Sequence, residues 1–138
     1  MNKILALDLG EKRIGLALSD ALLMFAHPLK TLEWRGFKTF LKDLKEIISE
    51  NNVSTVVVGM PYTMKGTYSK KTEETAKISN KLKENLDIEV VEADERLTTK
   101  MAEQALHASG RKPGKERNRI DQIAAVFILQ SYLDGLKP

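Results

Sequence analysis

The sequence contains no cysteine, and this absence excludes several kinds of chemistry. A disulfide framework, a thiolate zinc site and a cysteine nucleophile are all ruled out, so any metal ion must be bound mainly by oxygen. Long apolar runs are also missing. The run from Ile4 to Leu7 is too short for a signal peptide, and no other stretch approaches the length of a membrane span. We therefore expect a cytoplasmic protein without a membrane partner.

Neither charge nor length is extreme. The 138 residues, 42% of them apolar, suit a single domain with one core, and we expect residues 1–138 to form it. Lys and Arg exceed Asp and Glu by 22 to 19, which gives a net charge of +3. This weakly basic balance is compatible with a nucleic-acid partner but does not require one.

The first third of the chain has the pattern of β-strands. The apolar run from Ile4 to Leu7 is typical of a strand covered on both faces, and Asp8 to Lys12 supply a turn after it. Arg13 to Ser19 read as a second strand, and so short a connection predicts an antiparallel hairpin. A third strand is expected within Met24 to Glu33, where Pro28 predicts an edge position or a bulge.

Helices and strands alternate in the rest of the chain. From Phe37 apolar residues recur at helical spacing, and Asn51-Asn52 end that helix. The patterns that follow predict a strand at 53–58, a polar helix around 75–86, a strand at 88–93, a helix around 101–108 and a last helix at about 118–133. This order predicts an α/β fold with a mixed five-stranded sheet, strand order 3-2-1-4-5, which is the ribonuclease H-like layout.

Three acidic residues converge on one edge of this predicted sheet. Asp8 leaves the first strand, Glu95 follows the fifth, and Asp121 lies in the first turn of the last helix. Active sites of open α/β sheets form beyond the carboxyl ends of the parallel strands. Mg²⁺ and Mn²⁺ prefer oxygen ligands, and such ions can promote phosphodiester cleavage without a side-chain nucleophile. Glu95 would have to reach across two strand spacings, about 9.5 Å, to meet Asp8.

Each acid also has a purely structural interpretation. Asp8 could form an Asx turn with the residues before Gly10, and Asp121 could cap the last helix. Glu95 could be an exposed partner of a neighbouring arginine. Only the three acids together favour a metal site.

At these residues the sequence resembles the YqgF family of ribonuclease H-like proteins, described as Holliday junction resolvases or as nucleases that mature the 5′ end of pre-16S rRNA. Four segments carry the resemblance: LDLGEKRIGLA at 7–17 with Ser19-Asp20, VGMP at 58–61, DERLTT at 94–99, and IDQIAA at 120–125 with ILQSYL at 128–133. They run in order through nearly the whole chain. The resemblance implies a nuclease dependent on Mg²⁺ or Mn²⁺, with Asp8, Glu95 and Asp121 as its acidic triad.

Basic residues around the predicted crevice are candidate phosphate contacts. They are Lys12, Arg13, Arg96, Arg111, Lys112, Lys115, Arg117 and Arg119. Contacts of this kind bind the backbone without reading sequence and weaken with salt, and a solvated surface is the alternative interpretation. For Trp34, packing in the core or at its rim is favoured over stacking on a base.

Four functions remain open at this point. The first is a metal-dependent nuclease acting on structured RNA in ribosome maturation, and the second is a resolvase of four-way DNA junctions. Resolvases normally act as dimers, whereas this sequence shows no obvious dimerisation surface and predicts a monomer or weak dimer. The third is an ATP-binding fold of the actin and sugar-kinase type, which needs two lobes where 138 residues supply one. The fourth is a non-catalytic RNA-binding or regulatory protein.

Overall fold

The structure, a computed structural model, describes residues 2–96, 104, 107–108 and 117–136, without the side chains of 117–119. Five strands and three helices have defined bounds in that part of the chain. They are β1 (Lys3–Leu9), β2 (Arg13–Ser19), β3 (Ala26–Glu33), α1 (Phe37–Glu50), β4 (Val53–Met60), α2 (Lys70–Asn85), β5 (Glu89–Asp94) and α3 (Arg117–Gly135). None of the helices described is long and apolar enough to cross a bilayer.

The strands form one mixed sheet in the order β3-β2-β1-β4-β5, as the sequence predicted. β1 is antiparallel to β2 and parallel to β4, while β3 and β5 extend the sheet at its two edges. Pro28 lies on the edge strand β3 opposite Ala17, beside a register shift between Leu16 and Ala17. Both predictions for this proline, an edge position and a bulge, are therefore confirmed.

The sheet is covered on both faces because its central strands are apolar on both faces. In β1, Leu5 and Leu7 belong to a core shared with α1 and α2, whereas Ile4 and Ala6 belong to a second core shared with α3. By the alternation of side chains along a strand, Asp8 lies on the α3 face together with Ile4 and Ala6.

Small residues let α3 lie very close to the sheet. A Cβ atom on Gly15 of β2 would lie only 2.1 Å from the carbonyl oxygen of Asp121. Ala17 on the sheet and Ala125 on the helix are fully buried in the same layer. The backbone of α3 at Asp121 therefore rests directly on β2, which fixes this residue at the carboxyl edge of β1.

The start of α2 is fixed at the same edge of the sheet. Ser69 caps the helix by accepting a hydrogen bond from the backbone N–H of Thr72, while the Thr72 hydroxyl accepts one from the Ser69 N–H. The Thr72 hydroxyl also donates to the carbonyl of Pro61 at 2.7 Å. Since Pro61 directly follows β4, these bonds hold the first turn of α2 at the carboxyl end of that strand.

Two expectations from the sequence need comment. Asp8 was expected in a turn, but β1 continues through Leu9 because β2 pairs with it up to Leu9↔Ile14, so Asp8 lies inside the strand. Of the helix predicted around 101–108, only Gln104, His107 and Ala108 are described, and each is helical.

Candidate active site

Asp8 is a buried carboxylate on the α3 face of the sheet, only 8% exposed. Its cross-strand neighbour in β2 is Gly15, whose missing side chain gives room to the backbone of Asp121. The three residues are thus stacked from β1 through β2 to α3. Burial is the main cause of the raised pKa of Asp8, and the charge of Asp121 is near enough to add to it.

Glu95 reaches Asp8 because the intervening strand carries a glycine at the crossing point. The Glu95 backbone N–H donates to the carbonyl of Met60 at 3.1 Å, which holds the residue beside the end of β4. A Cβ atom on Gly59 would lie 3.2 Å from the Glu95 carboxyl carbon. The Glu95 side chain therefore passes over Gly59 and hydrogen-bonds with Asp8. The Glu95 side chain thereby spans the two strand spacings that separate β5 from Asp8 in β1.

The structural interpretation of Glu95 as an exposed arginine partner is wrong. Glu95 is only 7% exposed, and Arg96 pairs instead with Asp94, with 2.7 Å between Nη2 and Oδ2. The chain after β5 turns Glu95 inward and Arg96 outward, which separates the two residues. Asp121 was expected in the first turn of the last helix, but α3 begins at Arg117, so Asp121 lies one turn inside the helix rather than at its cap, and its Oδ2 accepts a hydrogen bond from Arg13 Nε at 3.0 Å.

Burial raises the pKa of both facing carboxyl groups. Burial raises the pKa of Glu95 to about 9, and the negative charge of Asp8 adds to the effect. Burial also raises the pKa of Asp8, although the hydrogen bond with Glu95 opposes the shift. At neutral pH the pair therefore retains a proton on Glu95, which donates to Asp8. Such paired, strongly shifted carboxyl groups are typical of functional sites.

Lys71 is a nearby cation that the sequence reasoning missed. It is exposed in the first turn of α2, and its positive charge partly opposes the rise in the pKa of both Asp8 and Glu95. The signal that could have found it was the Ser69 cap, which places the next residues at the carboxyl edge of the sheet. Lys71 and Arg13 thus bring positive charge to the acids from two sides.

The other predicted phosphate contacts are only partly described. Lys12 is exposed in the hairpin, and Arg96 also donates to the carbonyl of Met64 at 3.3 Å. Arg111, Lys112 and Lys115 lie outside the described residues. Arg117 and Arg119 belong to α3, but their side chains are not among those described.

The acid pair has the chemistry of a partial divalent-metal site. Within the described ranges, no three acidic or histidine side chains are gathered as a ready metal cluster. Asp8 and Glu95 face each other, while Asp121 is turned to Arg13. The Oε1 atom of Glu95 is buried, and among the described residues it has no hydrogen-bond partner other than Asp8. Because Mg²⁺ binds through one or two carboxylates and completes its shell with water and phosphate, the pair fits such an ion.

Comparison with solved structures defines the class of fold. The Fowlpox virus resolvase, solved with its substrate Holliday junction DNA, superposes with a TM-score of 0.60 at 14% identity and 99% coverage of each chain. RuvC of T. thermophilus, in complex with a Holliday junction substrate, gives a TM-score of 0.56 at 12% identity, covering 98% of this chain and 95% of that one. The chain therefore has the ribonuclease H-like fold of these resolvases.

Sequence comparison identifies the family within that fold. Residues 2–135 match the family described as "RuvX: Holliday junction resolvase", and the chain belongs to this family, which confirms the resemblance to YqgF proteins. A protein of Acetivibrio thermocellus named "Putative pre-16S rRNA nuclease" is 42% identical over 135 residues, with 96% of each chain covered. A protein of the same name from Chloroflexus aurantiacus is 44% identical over 132 residues, covering 96% of this chain and 86% of that one.

Proposed function

We propose that this protein is a divalent-metal-dependent nuclease that processes the 5′ end of pre-16S rRNA by hydrolysing phosphodiester bonds. The observation that carries the proposal is the buried pair of Asp8 and Glu95 at the carboxyl edge of the sheet, with Asp121 beside it. The RNA substrate is inferred from the names of the protein's relatives. A ribosomal RNA precursor would be met in the cytoplasm.

In this proposal Asp8 and Glu95 hold the cation and Asp121 completes the acidic set. A bound Mg²⁺ or Mn²⁺ would supply an activated water and would neutralise charge on the phosphate. Glu95 must give up its proton before it can bind a cation, and Lys71 favours that loss by stabilising the carboxylate. Arg13 orients Asp121 through Nε. In this proposal Lys71 and Lys12, both exposed, would contact phosphates of the bound strand.

A four-way DNA junction is the second candidate substrate. It is favoured by the description of the family and by the two resolvases of the same fold, both solved with junction DNA. Symmetric cleavage of a junction needs two active sites, so this function requires at least a weak dimer. RNA processing would be compatible with a monomer.

One cleavage assay tests the proposal and separates the substrates. A 5′ pre-16S rRNA fragment and a four-way DNA junction are incubated side by side with Mg²⁺ or Mn²⁺ and the wild type, Asp8→Asn or Asp87→Asn. Asp87 is an exposed aspartate before β5 and serves as the matched control. We expect the wild type and Asp87→Asn to cut the RNA, and Asp8→Asn to lose at least a hundredfold in rate while its circular dichroism is unchanged.

Cleavage of the junction alone would transfer the function to DNA. Undiminished cleavage by a folded Asp8→Asn variant, or equal cleavage in EDTA, would refute the metal-dependent mechanism. Cleavage of neither substrate by the wild type would leave the non-catalytic RNA-binding function as the better account.

A further inference from the structure

A groove of about 640 Å³ opens beside the acidic residues, at the same edge of the sheet. It lies where the turn between β1 and β2 meets the end of β3, and the backbone N–H of Trp34 closes this corner by donating to the Lys12 carbonyl at 2.8 Å. Its lining residues are Glu11, Lys12, Arg13, Thr31, Glu33 and Trp34. A volume in this range is typical of sites for small organic molecules.

Arg13 lines the groove and also contacts Asp121, one of the acidic residues. Its Nε atom is occupied by Asp121 at 3.0 Å, whereas its two Nη groups form no hydrogen bond or ion pair within the described chain. An arginine side chain carries five N–H donors in a fixed planar arrangement, so one edge can hold a carboxylate while the other binds a phosphate. A phosphate on Arg13 would lie next to the acids.

The charge of the groove does not suit a continuous phosphate backbone. Two carboxylates, Glu11 and Glu33, line the groove beside the cations Lys12 and Arg13, and Glu33 also pairs through Oε2 with Arg35 at 2.7 Å, whereas a channel that follows a backbone is uniformly positive. Carboxylates accept hydrogen bonds from the amino groups of nucleobases. Glu11 and the Oε1 atom of Glu33, which Arg35 does not contact, are left to accept such bonds, and this favours a base in the groove with Lys12 and Arg13 left for its phosphate.

Trp34 provides the aromatic wall such a base requires. Its ring is partly buried against the first core and tilts against Phe40 with 5.6 Å between the ring centroids, so its position is fixed before any ligand binds. Trp34 thus packs at the rim of the core, as the sequence favoured, and also lines the groove. Stacking on a rigid indole is a general way of binding any base.

We propose that this groove binds one unpaired nucleotide of the substrate strand, with its base against Trp34 and its phosphate on Arg13 and Lys12. The inference rests on the proposed nuclease function and adds a requirement on the substrate. A base in a stacked duplex must leave its neighbours to enter, which costs a few kcal/mol. The protein should therefore select sites with an unpaired nucleotide next to the cleaved bond.

The chain contains a single tryptophan, so tryptophan emission, excited selectively over the three tyrosines, reports on Trp34 alone. The wild type in EDTA is titrated with a labelled RNA hairpin that carries a four-nucleotide single-stranded extension, and with the same hairpin cut blunt. Anisotropy of the label measures total binding, while tryptophan emission measures entry into the groove. We expect saturable quenching by the extended hairpin and none by the blunt one.

Variants separate stacking from folding. Trp34→Ala should weaken binding of the extended hairpin five- to hundredfold, as expected for the loss of one base stack, while Trp34→Phe should keep most of the affinity. Phe37→Ala, at a partly buried aromatic residue of the same core, is the control for loss of packing and should leave the affinity unchanged.

Binding seen by anisotropy without any change in tryptophan emission would overturn the groove as the site. Equal quenching by the blunt hairpin would overturn the requirement for an unpaired nucleotide. Neither result would affect the nuclease proposal, which is tested by cleavage. Absence of all nucleic-acid binding together with absence of cleavage would refute both.

Discussion

Replacing Glu95 with glutamine should stabilise the protein while it abolishes metal-dependent activity. The raised pKa of Glu95 means that folding keeps this side chain protonated inside the protein, next to the carboxylate of Asp8. Glutamine has nearly the same shape, is always neutral and can donate its amide N–H to Asp8 as the protonated acid does. Glu95→Gln therefore keeps the hydrogen bond and removes the titration.

The magnitude follows from the two pKa values. The unfolded chain releases the proton near the ordinary pKa of 4.5, whereas the folded chain keeps it up to about 9. Between these values the folded state binds more protons, so the free energy of unfolding falls as pH rises, by at most about 1.4 kcal/mol per pH unit. The loss of unfolding free energy caused by Glu95 is therefore at most about 3 kcal/mol at pH 7. Relaxation around the pair reduces this loss to on the order of 1–3 kcal/mol.

The assay is urea or thermal denaturation in EDTA at several values from pH 4 to pH 8. The wild type and Glu95→Gln should be equally stable near pH 4, and the variant should unfold roughly 3–10 °C higher at pH 8. Glu46→Gln, at an exposed glutamate in α1, should follow the wild type throughout. Parallel curves for the wild type and Glu95→Gln, with no divergence as pH rises, would refute the reasoning.

Alanine substitutions at Gly59 and Gly15 should both destabilise the protein, and the loss should be larger at Gly15. A Cβ on Gly59 would lie 2.5 Å from Cδ1 of Ile128 and 3.2 Å from the Glu95 carboxyl carbon. Because flexible side chains can yield, Gly59→Ala should fold with a loss of about 1–3 kcal/mol but cut RNA at least about a hundredfold more slowly; wild-type cleavage would contradict this. Gly15→Ala would press on the backbone of Asp121 at 2.1 Å and should cost more than about 3 kcal/mol. Gly135→Ala, with nothing within 4 Å of its Cβ, is the control in denaturation, and near-control stability of Gly15→Ala would count against the tight α3 contact.

The fold could be predicted because its signals are local. Continuous apolar strands marked the centre of the sheet, Pro28 marked an edge, and helical spacing from Phe37 marked α1. The order of these elements leaves few possible topologies. The end of β1 was placed too early because Asp8 is polar, although pairing with β2 continues past it to Leu9. Pairing between strands is a tertiary property that a local pattern does not contain.

The site could be predicted only as a set of acids at one edge. Where those acids point depends on residues distant in sequence: Glu95 crosses β4 over Gly59, and Asp121 meets Arg13, 108 positions away. Glycine signals a turn or a close approach, but the sequence does not say what approaches it. Lys71 could not be chosen among many exposed lysines until the cap of α2 fixed its place.

The energetics of the acid pair bear on the choice between a catalytic and a purely structural role. Two facing carboxyl groups at 8% and 7% exposure destabilise the fold at neutral pH, and an apolar or amide pair of similar size would not. A binding or scaffold role for this edge requires no such burial. A cation that takes the place of the proton on Glu95 would offset the cost of burying the two carboxyl groups, and it would bind the Glu95 oxygen that has no partner besides Asp8 among the described residues. The pair is therefore better explained as a site whose stability is lowered until its metal binds than as a structural element. Added Mg²⁺ should accordingly stabilise the wild type and leave Glu95→Gln nearly unchanged in the same denaturation assay.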